Sequence, residues 1–594
     1  MAEQAGEPSN APKRIRIGDE LLRRGLINET QLHVALSEQR RVHRPLGEIF
    51  VSLGFVQAID TARLLSEQLG LPIVRPDDIE PEQFVLDALD PELVRSARAF
   101  PYAIEGGTLS VAMVDPTDPA SVEAVRGAFP YPLSIVMVTA SDLDVLMRRH
   151  AGRGAADEVS KLLATGASAS DERRIQELSD AVIRDGIHRG ATDIHIQPEE
   201  FLTRVRYRID GVLRSAESLP QDVSDAVISR IKINARLDIA ERRRPQDGRL
   251  RIVVDGRDVD LRMSVMPNVY GENIVLRVLD RSGGVPPLES LGVDPVKAVE
   301  LARLAERPHG LFLVTGPTGS GKTTTLYALL SRVDSIQRNV STIEDPVEYC
   351  MPLVRQSQVD SAVGYGFHEG LRSLLRQDPD VILVGEIRDE VTADMAIKAA
   401  MTGHLVLATL HTTNALGAIP RLVDLGVPSY LLEETLLAVM SQRLVRRLCE
   451  RCSVPLTEEH EEYGATARWL NGDLGSARTA AGCSACDDSG FSGRLAIAEV
   501  FLPDDETRPF IRMAGGDASG PQGRVHGGPT TLEEAAVAQG FEELGIDAAK
   551  KVRRGVTTLL EVLRVHRPEG TGEESSPADQ APLEGSGDSE GLAA

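Results

Sequence analysis

The run LFLVTGPTGSGKTTTLYALL, from Leu311, constrains this chain more than any other segment. An apolar, strand-like stretch leads into G-x-x-x-x-G-K-T at residues 316–323 and a helical stretch follows, the context in which such a loop cradles phosphates. Gly316, Gly319 and Gly321 let backbone N–H groups turn inward around a β-phosphate, with Pro317, Thr318 and Ser320 completing the loop. The next helix adds its positive end, Lys322 can bridge phosphate oxygens, Thr323 can ligate Mg²⁺ through its hydroxyl, and Thr324 shares that first turn. These residues alone imply binding of ATP or GTP on an α/β sheet.

Further along, VILVGEIRD is an apolar strand ending in acid, where a metal-side carboxylate belongs at the edge of a parallel sheet. The acid is Glu386 rather than aspartate. Between the two motifs, STIEDPVEY brings Glu344, Asp345 and Glu348, enough to surround a metal and a hydrolytic water, although a solvated acidic turn reads the same way. TGHLVLATLHTTNA puts His404 and His411 on either side of a strand, where hydrogen-bonded structural histidines are the commoner outcome.

A chain of 594 residues is too long for one core, and composition shifts divide it. Residues 1–14 read as a disordered tail without the apolar stretch of a secretory signal. From Arg16, RIGDELLRRGLINETQLHVALSEQ returns 29 positions later as PLGEIFVSLGFVQAIDTARLLSEQ, each copy a helical hairpin broken by a glycine. Short β-like and helical runs follow to about residue 150, so residues 15–150 form an expected compound module. The Ala-, Gly- and Ser-rich residues 151–170 are expected to be a flexible linker. Residues 171–281 alternate in period two around two helices, a second α/β domain; residues 282–566 carry the phosphate loop; and residues 567–594 are an acidic tail expected to be disordered.

The formal charge of −24 would repel a nucleic-acid backbone, and no apolar run reaches the roughly 18 residues of a membrane span. A cytoplasmic protein without a transmembrane segment, with nucleic acid disfavoured as partner, is the expectation. Four of the five cysteines fall in two pairs, Cys449 and Cys452 with Cys483 and Cys486, a C-x2-C-x30-C-x2-C spacing that suits a closed, structural Zn²⁺ site.

The order of phosphate loop, IEDPVEY, VILVGEIRD and TGHLVLATLHT resembles the secretion ATPase family that drives type II secretion and type IV pilus assembly. The resemblance spans nearly the whole chain. It implies a RecA-like ATPase domain with a zinc-binding insertion at 449–486, preceded by a PAS-like α/β domain and an N-terminal helical-hairpin plus α/β regulatory module. It further implies Glu348 as general base, Glu386 as the Mg²⁺-side acid, and His404 and His411 as γ-phosphate sensors. Through DLRMSVMP and GENIVLRVL it implies that Arg262 and Arg277 reach over the nucleotide, and through GFSGRLAIAE that Arg494 faces it. The expected assembly is a homo-hexamer acting on an inner-membrane platform protein, with a cytoplasmic docking protein, so that the chain is held peripherally at that membrane. The zinc motif resembles that of the extension and secretion members rather than the retraction motors.

The N-terminal repeat is similar to a cyclic di-GMP-binding repeat of some assembly ATPases, with Arg16 on a guanine; the second copy has Pro45 at that position, beside Arg44. A hairpin pair that only docks a partner fits the same residues. Two other functions remain open on sequence: a dinucleotide-sensing nucleotide switch with weak ATPase activity, and a DNA uptake or conjugation ATPase.

Overall fold

Each copy of the N-terminal repeat turns on a left-handed glycine. The structure, a computed structural model, describes residues 16–42, 44–164, 171–254, 257–279, 284–513 and 529–566. Helices Ile17–Arg23 and Glu29–Val42 make one hairpin, Leu46–Ser52 and Ala58–Leu69 the other. Gly25 (φ 68°) and Gly54 (φ 72°) follow the first helix of each copy, a conformation that costs glycine little. Gly18 lets the helices approach, since a Cβ there would lie 2.8 Å from Leu32 Cδ1. Leu21, Ile49, Phe50 and Leu64 are buried in the shared core. The two expected tails lie outside the described residues.

Three strands follow, β1 (Ala99–Glu105), β2 (Thr108–Met113) and β3 (Leu133–Met137), with β1 antiparallel and β3 parallel to the central β2. An Arg98–Glu48 ion pair ties this small sheet to the second hairpin. The flexible linker expected over 151–170 is corrected in part: helix Ala140–Ala164 runs through its first fourteen residues. Val159 is buried in the core of the next domain, with Leu162 and Leu163 packed against it. Tertiary packing of that apolar face overrides the helix penalty of Gly152 and Gly154. Residues 165–170 lie outside the described residues.

The middle sheet comprises β4 (Asp193–Pro198), β5 (Leu202–Ile209), β6 (Val212–Ser215), β7 (Leu219–Pro220), β8 (Gln246–Val254), β9 (Arg257–Asn268) and β10 (Gly271–Leu279). Its order is β6-β5-β4-β10-β9-β8, with β7 on β5, and all pairings are antiparallel. Strand residues alternate between buried and partly exposed, as a sheet with one covered face requires, and helices Glu172–His188 and Gln221–Asn234 supply the cover.

The C-terminal sheet is different in kind. Strands β11 (Gly310–Thr315), β12 (Val340–Glu344), β13 (Arg355–Gln358), β14 (Val381–Val384), β15 (Leu405–Leu410) and β16 (Leu436–Leu448) are parallel. After the short ribbon β17 (Val454–Pro455) and β18 (Arg478–Thr479), strand β19 (Phe491–Phe501) returns antiparallel on β16. The order β13-β12-β14-β15-β11-β16-β19 puts the phosphate-loop strand well inside the sheet. Helices cover both faces, so β11 is buried at every residue: Leu311 and Leu313 face one core with Ile343 and Val384, Phe312 and Val314 the other with Leu326 and Tyr327. Among the described residues, no helix is long and apolar enough to cross a membrane.

Candidate active site

At the end of β11 the chain needs positive φ repeatedly, at Gly316 (137°), Gly319 (78°) and Gly321 (87°). Gly316 is also sterically fixed, because a Cβ would lie 2.5 Å from the Gln442 carbonyl and 2.7 Å from Ser320 Oγ. Helix Lys322–Leu330 starts directly after Gly321, with Thr323 and Thr324 half-buried in its first turn. Pro317 and Thr318 are exposed on the loop's outer side, while Ser320 is buried with no hydrogen-bond partner for its Oγ among the described residues. Lys322 Nζ donates to the carbonyls of Gly316 at 2.9 Å and Pro317 at 3.1 Å. Burial lowers its pKa, Glu386 opposes that and Arg443 adds to it. A cation curled into a loop of inward N–H groups fits a polyphosphate.

Sequence reasoning missed the brace beneath this loop. Gln442 of β16 donates through Nε2 to the Ser320 carbonyl at 2.7 Å and accepts at Oε1 from Thr325 Oγ1 at 2.8 Å. The neighbouring Arg443 donates to the carbonyls of Thr413 at 2.6 Å and Gln442 at 3.0 Å. Nothing local marks either residue; only the pairing of Thr315 with Ser441 brings them here.

The acids separate into two kinds. Glu386 follows β14 by two residues and is held at the site by Gly385, where a Cβ would lie 3.2 Å from the Ile343 carbonyl of the adjacent strand. Its carboxylate pairs with Arg388 and lies 3.4 Å from His411 Nε2. Glu344, read as a possible metal-side acid, is instead a buried structural carboxylate already accepting from Thr342, Tyr327 and Gln356. Asp345 and Glu348 lie beyond it in the loop, on either side of the cis Asp345–Pro346 bond, with Asp345 exposed and Glu348 half-buried.

The two histidines part company, and the reading of His404 as a γ-phosphate sensor is corrected. β15 lies parallel to β11, with Leu405 opposite Gly310 and Leu410 opposite Thr315, so His411 reaches the phosphate loop and His404 sits at the far edge of the sheet. Seven residues at about 3.3 Å each put roughly 23 Å between them. There His404 Nδ1 meets the Ala399 carbonyl at 2.9 Å, closing the end of helix Glu390–Met401.

The middle sheet contributes a row of arginines. Register places Arg249, Arg262, Arg277, Asp193 and Arg208 side by side across β8, β9, β10, β4 and β5. Asp193 takes Arg277 at 3.1 Å and Arg208 at 3.7 Å, leaving Arg249 and Arg262 as adjacent like charges. Arg249, Arg262, Arg277, Asp193 and Asp247 line a cleft of about 540 Å³. Burial and Arg249 lower the pKa of Arg262, whereas Asp345 and Glu348 raise it. Arg262 therefore lies within electrostatic reach of the acidic loop of its own chain. Arg249 and Arg208 were not legible as site residues, because strand register is not written in local spacing.

Arg494 lies elsewhere than expected. Arg494 pairs with Arg446, five residues beyond the Ser441 that lies level with Thr315, so roughly 16 Å of strand separates it from the phosphate loop. Its side chain meets Asp210 of the β5–β6 turn at 3.6 Å, and the same carboxylate accepts from Gly493 N at 3.1 Å. Arg494 joins the two large domains.

A family model described as "Type II/IV secretion system protein" matches residues 168–564, a span containing every group of this site. The chain belongs to that family. A second model, "MshEN domain", matches residues 69–157. Type II secretion system protein E of Xanthomonas campestris pv. campestris is 38% identical over 573 residues, covering 93% of this chain and 98% of that protein. Type IV pilus assembly ATPase PilB of Myxococcus xanthus is 35% identical over 569 residues, covering 92% and 98%. The PilB of Thermus thermophilus is 39% identical over 544 residues; these are 89% of this chain but 59% of that longer protein.

In this secretion-family chain the four cysteines of the two pairs converge. Sγ–Sγ separations are 3.9 Å for Cys449–Cys483, 3.8 Å for Cys452–Cys486 and 3.7 Å for Cys483–Cys486, with all four sulfurs within 4.8 Å of one another. Zn–S bonds of about 2.3 Å in a tetrahedron require about 3.8 Å between sulfurs. Cys486 Sγ also accepts from Gly490 N at 3.2 Å and Cys483 N at 3.3 Å, the N–H donors a thiolate needs. The thirty residues between the pairs are folded, with helix Tyr463–Trp469 and the β17–β18 ribbon, and Leu470 buried against Val445 and Ile497. Cys350, outside the cluster, is exposed rather than buried as a small apolar residue would be. Arg16 is exposed at the start of helix Ile17–Arg23, and Pro45 occupies the equivalent position before Leu46–Ser52.

Proposed function

We propose that this chain is an ATP-hydrolysing motor, working as a homo-hexamer, that powers assembly of a type IV pilus or a type II secretion pseudopilus. The phosphate loop closed around Lys322, with the Glu386–His411 pair at the ends of β14 and β15, carries the reading, and the charges of Asp345 and Glu348 act on Arg262 of the middle sheet. Membership of the secretion family and the names of its relatives support the same reading. In it, the loop N–H groups and Lys322 hold the phosphates, and Glu348 takes a proton from the attacking water. Mg²⁺, held by Thr323 with Glu386 beside it, would neutralise charge on the transferring phosphoryl group. Arg262 and Arg277 add planar cations from the middle sheet, and the Arg262–Glu348 attraction changes as charge at the site changes, which makes domain closure depend on the nucleotide.

The remaining assignments follow from this reading. The cysteine cluster holds a structural Zn²⁺. The N-terminal hairpins take cyclic di-GMP, with Arg16 on a guanine, or dock a cytoplasmic partner. The chain sits peripherally at the inner membrane through a platform protein, and its net charge of −24 disfavours the nucleic-acid alternative. In cells whose own copy is deleted, wild-type chain is expected to restore surface fibres or secreted protein, while Glu348→Gln, equally expressed, restores neither. Full restoration by Glu348→Gln would remove the motor reading.

A further inference from the structure

Glu344 ends β12 only 1% exposed, and among the described residues no Lys or Arg pairs with it. Its Oε1 accepts from Thr342 Oγ1 at 2.5 Å and Gln356 Nε2 at 3.2 Å, and its Oε2 accepts from the Tyr327 hydroxyl. Burial pushes its pKa up, against the pull of these donors. A buried carboxylate held only by neutral donors is costly, so its retention asks for a purpose.

That purpose is visible in the second bond of the phenol. While donating to Glu344, the Tyr327 oxygen accepts from the backbone N–H of Glu348 at 3.2 Å, which one proton and two lone pairs permit at once. Tyr327 stands one turn beyond Thr323 on helix Lys322–Leu330, and its ring packs edge-on against Tyr349 with centroids 5.7 Å apart. The short strand β13 splints the rest of the loop. Gln356 donates to the Tyr349 carbonyl at 2.8 Å and accepts from Met351 N at 2.7 Å, and Gln358 accepts from Val347 N at 3.3 Å. Tyr327, Gln356 and Gln358 thus hold Val347, Glu348, Tyr349 and Met351 of the segment that carries the base.

We propose that Tyr327 is a positioning residue for hydrolysis: its hydroxyl pins the backbone of Glu348 to the phosphate-binding helix, and Glu344 is the acceptor that aims the hydroxyl. The inference rests on the reading of Glu348 as the base. The acid that activates water then moves as one body with Lys322 and Thr323, so the distance from base to phosphate is kept whatever the rest of the loop does.

Steady-state ATPase assays and nucleotide binding on full-length wild type, Tyr327→Phe and Glu348→Gln test this. Tyr327→Phe keeps the ring and its packing, so KM for ATP is expected to stay near wild type, while the melting temperature falls modestly because buried Glu344 loses one donor. Its kcat is expected to fall about ten- to a hundred-fold, the order reported for displacing a catalytic group by about 1 Å. Hydrogen exchange at the Glu348 amide should rise in the same variant. If phenylalanine is not tolerated, Glu344→Gln, which keeps the size and removes the charge that aims the phenol, is expected to show the same selective loss. Tyr327→Phe with unchanged kcat beside an inactive Glu348→Gln would overturn the positioning role alone. An active Glu348→Gln would overturn the base assignment and this inference with it.

Discussion

Lys322→Ala is expected to leave a folded chain that neither holds ATP firmly nor turns it over. The ammonium donates to two loop carbonyls, at 2.9 and 3.1 Å. Losing hydrogen bonds from a charged donor costs about 1.5–3 kcal/mol each, which weakens ATP binding by about ten- to over a hundred-fold. Turnover should fall further, by about 10² to 10³, because charge on the phosphoryl oxygens grows toward the transition state. The fold should survive, since the strand below the loop and the Gln442 brace do not involve Lys322. Fluorescent-nucleotide titration and circular dichroism measure the two halves of this expectation. Tight binding retained by the variant would mean that the loop N–H groups hold the polyphosphate without the lysine.

Stripping metal from the cysteine cluster is expected to unfold one part of the molecule and spare the rest. Four thiolates brought within 4.8 Å repel one another, and the thirty-residue excursion they close adds only Leu470, with Trp469 and Leu474 beside it, to a core otherwise made by Val445, Ile497, Ala548 and Val552. Structural zinc contributes about 10–16 kcal/mol in small zinc domains, more than such an excursion can replace. Elemental analysis should give about one zinc per chain, the stoichiometry of a closed four-cysteine site. After chelation, or in Cys486→Ser, amide exchange should rise across residues 449–490, whereas β11 and β15 stay protected. The β19 end beside the cluster also carries Gly493 and Arg494, so loosening there should weaken the Asp210 contact to the middle domain. A metal-free chain with residues 449–490 still protected would refute the site.

What the sequence could disclose divides by range. The phosphate loop and the cysteine pairs were legible because their chemistry depends on residues a few positions apart, and the repeat was legible because Gly25 and Gly54 must occupy the same left-handed turn. The arginine row was half legible. Arg262 and Arg277 came from resemblance, but Arg249 and Arg208 join them only through antiparallel register across five strands. His404 failed for a reason that spacing itself contained: residues flanking a buried strand at both ends point to opposite edges of a parallel sheet, so His404 and His411 cannot share a ligand. Arg494 lies away from the phosphate loop of its own chain because β16 and β19 run on past that loop, a length no motif encodes. The first part of the linker differs because composition reported alanine and glycine while Val159, Leu162 and Leu163 found a core to pack against. Glu344 looked like one more acid in a cluster; its burial distinguishes it, and burial is a tertiary property.

The most direct measurement is the phosphate-release rate of the full-length chain with saturating ATP and Mg²⁺, wild type beside Glu348→Gln. The Glu348 N–H is fixed by Tyr327, its charge acts on Arg262 of the middle sheet, and Lys322 is held by the carbonyls of Gly316 and Pro317. Removing a general base costs about 10² to 10⁴ in rate. Wild type is expected to turn over steadily, and Glu348→Gln to bind ATP as well yet release phosphate slower by at least about a hundredfold. A wild-type chain no faster than the Glu348→Gln variant would contradict a hydrolytic motor at this site.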